Sequence, residues 1–178
     1  MVKKPAAVQV AKEHKDRDEA TGTARVVERY GVRARLVPVP EGILEEAELR
    51  VPDPAVPIVR IEEEGREMEN PDDPAYKRAM EDVARQRGVA AIEAMCLFGV
   101  ELLDGLPEDD TWRKKLLFYE KRGRIDLSWA DWDDPMEVEF VFIRYAFLTM
   151  DHVTYLGQIS RMTGEELARA EASFRGNT

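Results

Sequence analysis

Few side chains in this sequence have the types and spacing that chemistry requires. His152 is the one candidate general base outside the first 22 residues, with Asp151 beside it and Ser160 eight residues further on. Neighbours in sequence do not make a dyad, and a histidine near a predicted helix start reads first as a surface residue. A zinc site needs several Cys or His ligands, and His14, Cys96 and His152 are spaced too far apart for any local signature. The run Asp131-Trp132-Asp133-Asp134 could hold a hard cation through paired carboxylates, yet it lacks the loop and distal Glu of an EF-hand, and Asp134 before Pro135 is explained as a helix cap. Neither glycine-rich phosphate-binding pattern, G-x-G-x-x-G or G-x-x-x-x-G-K-[ST], is present. The reading is therefore no catalytic residue, no cofactor and no metal: a protein that binds rather than one that reacts.

Composition narrows the partner. The chain is 178 residues long, 44% hydrophobic and 35% charged, enough to build a core under an unusually charged surface. Its net charge of −10 is uneven: residues 1–40 carry +4, residues 41–74 carry −9, and residues 75–178 carry −5. An acidic body repels phosphate backbones, so nucleic acid is disfavoured and a basic or amphipathic protein is favoured. No run of about 18 apolar residues exists to span a membrane, and the start lacks the apolar stretch of a signal peptide. The single cysteine, Cys96, stands in an apolar segment and reads as a buried, inert thiol. These features predict a cytoplasmic protein.

The elements follow from periodicity and punctuation. Residues 1–22 are polar, sign-mixed and without period, which predicts a tail. Val26 and Val27, a Tyr30-Gly31 turn, then Val32, Ala34 and Leu36 interleaved with Arg33 and Arg35 predict a hairpin. Pro38 and Pro40 end it, a short helix is expected over Glu41 to Leu49, and Pro52, Pro54 and Pro57 enforce an extended connector. Ile58, Val59 and Ile61 suggest a short strand, and Glu62, Glu63, Glu64 and Gly65 a surface turn.

Asp73-Pro74 opens a long helix, with Tyr76, Met80, Val83, Arg87, Ala91, Ala94 and Phe98 on one face and Gly99 as its stop. Further helices are expected from Asp109 or Asp110 to Arg122, from Asp134-Pro135 with a stripe of Met136, Phe140, Ile143 and Phe147, and from Asp151 to Met162. Thr163-Gly164-Glu165-Glu166 has the spacing of a capping box, with Leu167, Ala170 and Phe174 as the buried face of the last helix. The fold class is mostly α (α+β): a helical domain over 73–178, preceded by a small β-rich module over 23–72 and a tail over 1–22. Trp112 belongs to the core, whereas Trp129 and Trp132 lie in a loop and are the aromatic candidates for partner binding. Glu62, Glu63 and Glu64 are the acidic candidates.

Several pieces, in order and spacing, resemble small bacteriophage proteins associated with tail assembly chaperones of long, non-contractile-tailed phages. They include Gly31-Val32-Arg33-Ala34-Arg35-Leu36 leading to Pro38-Val39-Pro40, Val51-Pro52-Asp53-Pro54, and Asn70-Pro71-Asp72-Asp73-Pro74-Ala75-Tyr76. Leu97-Phe98-Gly99-Val100-Glu101-Leu102, Asp104-Gly105-Leu106-Pro107-Glu108-Asp109-Asp110, and Gly164 onward to Phe174 complete a likeness spanning residues 30 to 175. The resemblance implies a non-catalytic protein that binds the helical tape-measure protein and keeps it soluble, in the host cytoplasm, before the tail tube forms. The alternatives are a structural tail or head-to-tail component of the virion, and an enzyme or regulatory subunit of unknown type.

Overall fold

The computed structural model describes residues 24–61, 65–162 and 164–176. The predicted tail, Glu62 to Glu64, Thr163 of the capping box and the Leu167 side chain lie outside what is described. The fold is mostly α with short antiparallel strands, as the periodicity predicts.

β1 (Arg25–Arg29) and β2 (Val32–Leu36) form the hairpin, paired from Arg25 with Leu36 to Arg29 with Val32. A two-residue turn joins them, with Tyr30 at φ 54° and Gly31 at φ 71°, the left-handed pair whose twist matches flanking strands. Along β2 the alternation is complete, since Val32, Ala34 and Leu36 are buried while Arg33 is exposed. β5 (Val100–Leu102) pairs antiparallel with β2, from Leu36 with Val100 to Ala34 with Leu102. The sheet thus draws strands from both sides of residue 73. Beyond it, Asp104 accepts hydrogen bonds from the Arg33 backbone N–H (3.0 Å), Nε (2.9 Å) and Nη2 (2.7 Å), which ties the loop after β5 back to β2.

α1 (Glu41–Leu49) occupies the predicted range. β3 (Ile58–Ile61) and β4 (Arg66–Glu69) make a second hairpin that pairs with no other described strand. α2 (Pro74–Phe98) starts as predicted, the Asp73 carboxylate accepting from the N–H groups of Ala75 (2.7 Å) and Tyr76 (3.0 Å). It is the central helix, packed against α1, β5 and the helices that follow. Gly99 is its C-cap, in the right-handed region rather than a left-handed turn, and a Cβ there would meet the Met95 carbonyl at 2.8 Å and Val39 at 3.0 Å.

α3 (Thr111–Lys121) buries Trp112 and Leu116. α4 (Pro135–Val141), capped by Asp134 on Met136 N–H at 2.8 Å, runs into a π-helical turn over Phe142–Phe147, and α5 (Met150–Ile159) and α6 (Gly164–Gly176) follow. The π turn, wider than an α turn, lets Val141, Phe142 and Ala146 join Ile143 and Phe147 in the core. Of the expected stripe, Ile143 and Phe147 are buried and Phe140 packs half-buried on the core, whereas Met136, in the first turn of α4, is 80% exposed. Phe98, expected on the buried face of α2, is likewise 49% exposed. The core centres on Phe142, Phe147, Leu36, Ile92, Met95 and Leu156, each fully buried and each contributing about 1.5–3 kcal/mol by leaving water.

Candidate functional site

The residues singled out for chemistry do not converge. His152 sits in the first turn of α5, its ring tilted on Phe147 at 5.9 Å with Nδ1 buried and without a hydrogen-bond partner. Burial, then the nearby Arg29 and Arg25, push its pKa below 6.5, against a smaller opposing pull from Asp151. Ser160 is about 12 Å further along the helix by the rise per residue. Its hydroxyl accepts the buried Val39 N–H at 2.9 Å, holding the exit of β2 against the end of α5. Cys96 is buried, and desolvation raises its thiol pKa to about 12 despite a neighbouring Arg144.

The aspartates before α4 act on backbone. Asp131 accepts from Asp133 N–H at 2.9 Å and Asp134 caps α4. Among the described residues no three carboxylate, His or Cys groups gather as metal ligands would. Nor is any described helix long and apolar enough to cross a membrane.

Trp129 and Trp132 take different positions. Trp129 is 47% exposed, its Nε1 donating to the Asp126 carbonyl at 3.0 Å and its ring edge-on to Phe140 at 5.9 Å. Trp132 is half-buried against Trp112 at 6.5 Å, with the Arg113 guanidinium 4.4 Å above its ring.

Two concave surfaces escaped the sequence reading. The first is a groove of about 420 Å³ between α1 and the end of α2, floored by Ile43, Ala47, Ala90 and Ala94 and edged by Leu97 and Phe98. Leu97 is 59% exposed, so two large apolar side chains stand side by side in water, with Glu93 and the ion pair of Glu46 with Arg50 also on the groove. Helical phase hid them, because Phe98 continues the apolar face of α2 in sequence while the chain turns into β5 in space.

The second is a pocket of about 330 Å³ under the π turn. Arg29, Arg124 and Arg144 line it together with Tyr119, Tyr145 and Thr149, and Ile92, Leu116, Ile125, Leu148 and Phe174 complete an apolar wall. Arg29 donates to the carbonyls of Phe147 (3.0 Å) and Leu148 (3.2 Å), bracing the end of the π turn. Arg144 is only 7% exposed and its Nη1 has no hydrogen-bond partner. A cation inside the apolar run Phe140 to Leu148 was the available signal in the sequence. Compared with protein-family models, curated proteins and solved structures, the chain matches none.

Proposed function

We infer that this chain is a non-catalytic binding protein that holds an amphipathic helical segment of a partner in the α1–α2 groove. The observation that carries the reading is the exposed Leu97–Phe98 pair at the mouth of that groove. Large apolar side chains held adjacent in water are what a helix-in-groove interface uses as anchors. Glu93 on the groove favours a basic partner, whereas Glu46 there is already paired with Arg50 at 2.7 Å; the charge of −9 over residues 41–74 points the same way as Glu93. Trp129 is a second exposed aromatic anchor.

The resemblance to phage tail assembly chaperones supplies the partner class: a long helical tape-measure protein kept soluble before assembly. Co-expression with the tape-measure reading frame from the same genome is the test. The partner should become soluble and co-purify, and Leu97→Asp with Phe98→Asp should weaken the complex at least about tenfold, as loss of central apolar anchors does. A partner equally insoluble with and without this chain ends the chaperone reading. Stoichiometric recovery of the chain in purified particles replaces it with that of a virion component.

A further inference from the structure

Several arginines on the surface of this protein are paired with acids. Arg33 meets Asp104, Arg50 meets Glu46, Arg85 meets Asp82, Arg87 meets Asp53 and Arg169 meets Glu48. The pocket under the π turn differs: Arg29, Arg124 and Arg144 share its lining, and no described Asp or Glu does. In a chain with 36 acidic residues, a gathering of cations that excludes every described acid is a specific arrangement. Arg144 is the extreme case. It is 7% exposed, its Cζ lies 5.3 Å from the Tyr145 ring, its guanidinium hydrogen-bonds the Cys96 thiol, and Nη1 donates to nothing. A buried guanidinium without an anion is costly, because its charge is desolvated without compensation, and a bound anion would remove that cost.

The geometry points to a carboxylate carried on a small apolar body as the ligand of this pocket. The guanidinium fork matches a planar carboxylate through two parallel hydrogen bonds. Arg144 and Tyr145 are consecutive yet both line the pocket, in a π turn, a geometry that recurs at functional sites. The aliphatic and phenyl wall receives the body of the ligand, and the volume falls in the range of small-molecule sites. Inorganic phosphate would leave that wall in contact with nothing. The pocket shares no lining residue with the α1–α2 groove, so this ligand site stands independently of the partner reading.

Calorimetric titration of the full chain tests the assignment with 3-phenylpropionate, its neutral amide 3-phenylpropanamide, and inorganic phosphate. The acid should bind saturably at one site, with the amide at least about tenfold weaker because the charge-assisted pair is lost. Arg124 is exposed, so Arg124→Gln should fold normally and weaken the acid by a similar factor. Arg144→Met, an apolar chain of similar length, should abolish binding while raising the melting temperature. A short peptide ending in Phe with a free carboxylate, compared with 3-phenylpropionate, tells a chain terminus from a free acid by which binds more tightly. The assignment fails if acid and amide bind alike, if phosphate competes the acid away, if neither substitution weakens binding, or if no saturable heat appears at about 10 mM acid.

Discussion

Gly88 in the middle of α2 lies against Arg169 of α6 so closely that a Cβ on Gly88 would stand 2.5 Å from the Arg169 carbonyl oxygen. The same Cβ would collide with the Ser173 hydroxyl, which itself donates to the Arg85 carbonyl at 3.1 Å and links the two helices. Glycine inside a helix costs about 1 kcal/mol relative to alanine, so its presence here needs a compensating gain. That gain is the close crossing of α2 and α6. Gly88→Ala should therefore destabilise by about 1–3 kcal/mol despite its better helix propensity, because the obstacle is backbone that cannot rotate aside. A urea midpoint at or above wild type would mean the crossing relaxes freely.

Stability should fall as pH drops below 6.5, and His152 should account for part of the fall. Its folded pKa lies below the unfolded 6.5, so in that window the unfolded chain binds the extra proton and acid favours unfolding. Above 6.5 both states are neutral there and the contribution is constant. His152→Leu should flatten the urea midpoint between pH 7.5 and 5.5, and parallel profiles for variant and wild type would exclude the histidine as the source.

Cys96 should resist alkylation in the folded protein. With its thiol pushed from 9.0 to about 12, the thiolate population at pH 8 falls about a thousandfold, and burial blocks access as well. Iodoacetamide labelling followed by mass spectrometry should show slow modification in buffer and complete modification in guanidinium. Rapid labelling in buffer would indicate that the Met95–Cys96 layer opens readily.

The two loop tryptophans should separate in their effects. Trp132→Ala removes the ring that packs on Trp112 and under Arg113, and should cost about 1–3 kcal/mol. Trp129→Ala should cost less than about 1 kcal/mol, since half of its ring already faces water. Equal losses in chemical denaturation would show that Trp129 shields more of the Phe140 surface than its exposure implies.

How legible the molecule was in its sequence depends on how local each cause is. The first hairpin, α1 and the start of α2 follow from neighbouring residues: a Tyr30-Gly31 turn, prolines at 38 and 40, and an Asp73-Pro74 cap. The third strand was missed, because Val100–Leu102 is three residues long and becomes a strand only by meeting β2, more than sixty residues away. The stripe after Asp134 was read with a constant period, and the π turn breaks that period. The exposure of Trp129 follows from its loop position, whereas Phe98 is expected on the buried face of α2 and the exposed Leu97–Phe98 pair emerges only where the chain turns into β5. The arginine pocket joins residues 29, 124 and 144, a convergence that only the packing of β1 beside the helices creates.

The second hairpin has a different standing from the rest. β3 and β4 hydrogen-bond to each other and, among the described strands, to nothing else, with Ile58 65% and Met68 53% exposed. A two-stranded ribbon that does not share a core is marginal in water and opens by local fluctuation. Its amide hydrogens should exchange with deuterium on a timescale unrelated to global unfolding, while those around Phe142 and Leu156 wait for the whole fold. Protease cutting and engineered insertions between Ile61 and Arg66 should accordingly leave the melting transition in place, making this ribbon the position where chain length can change without consequence for the core.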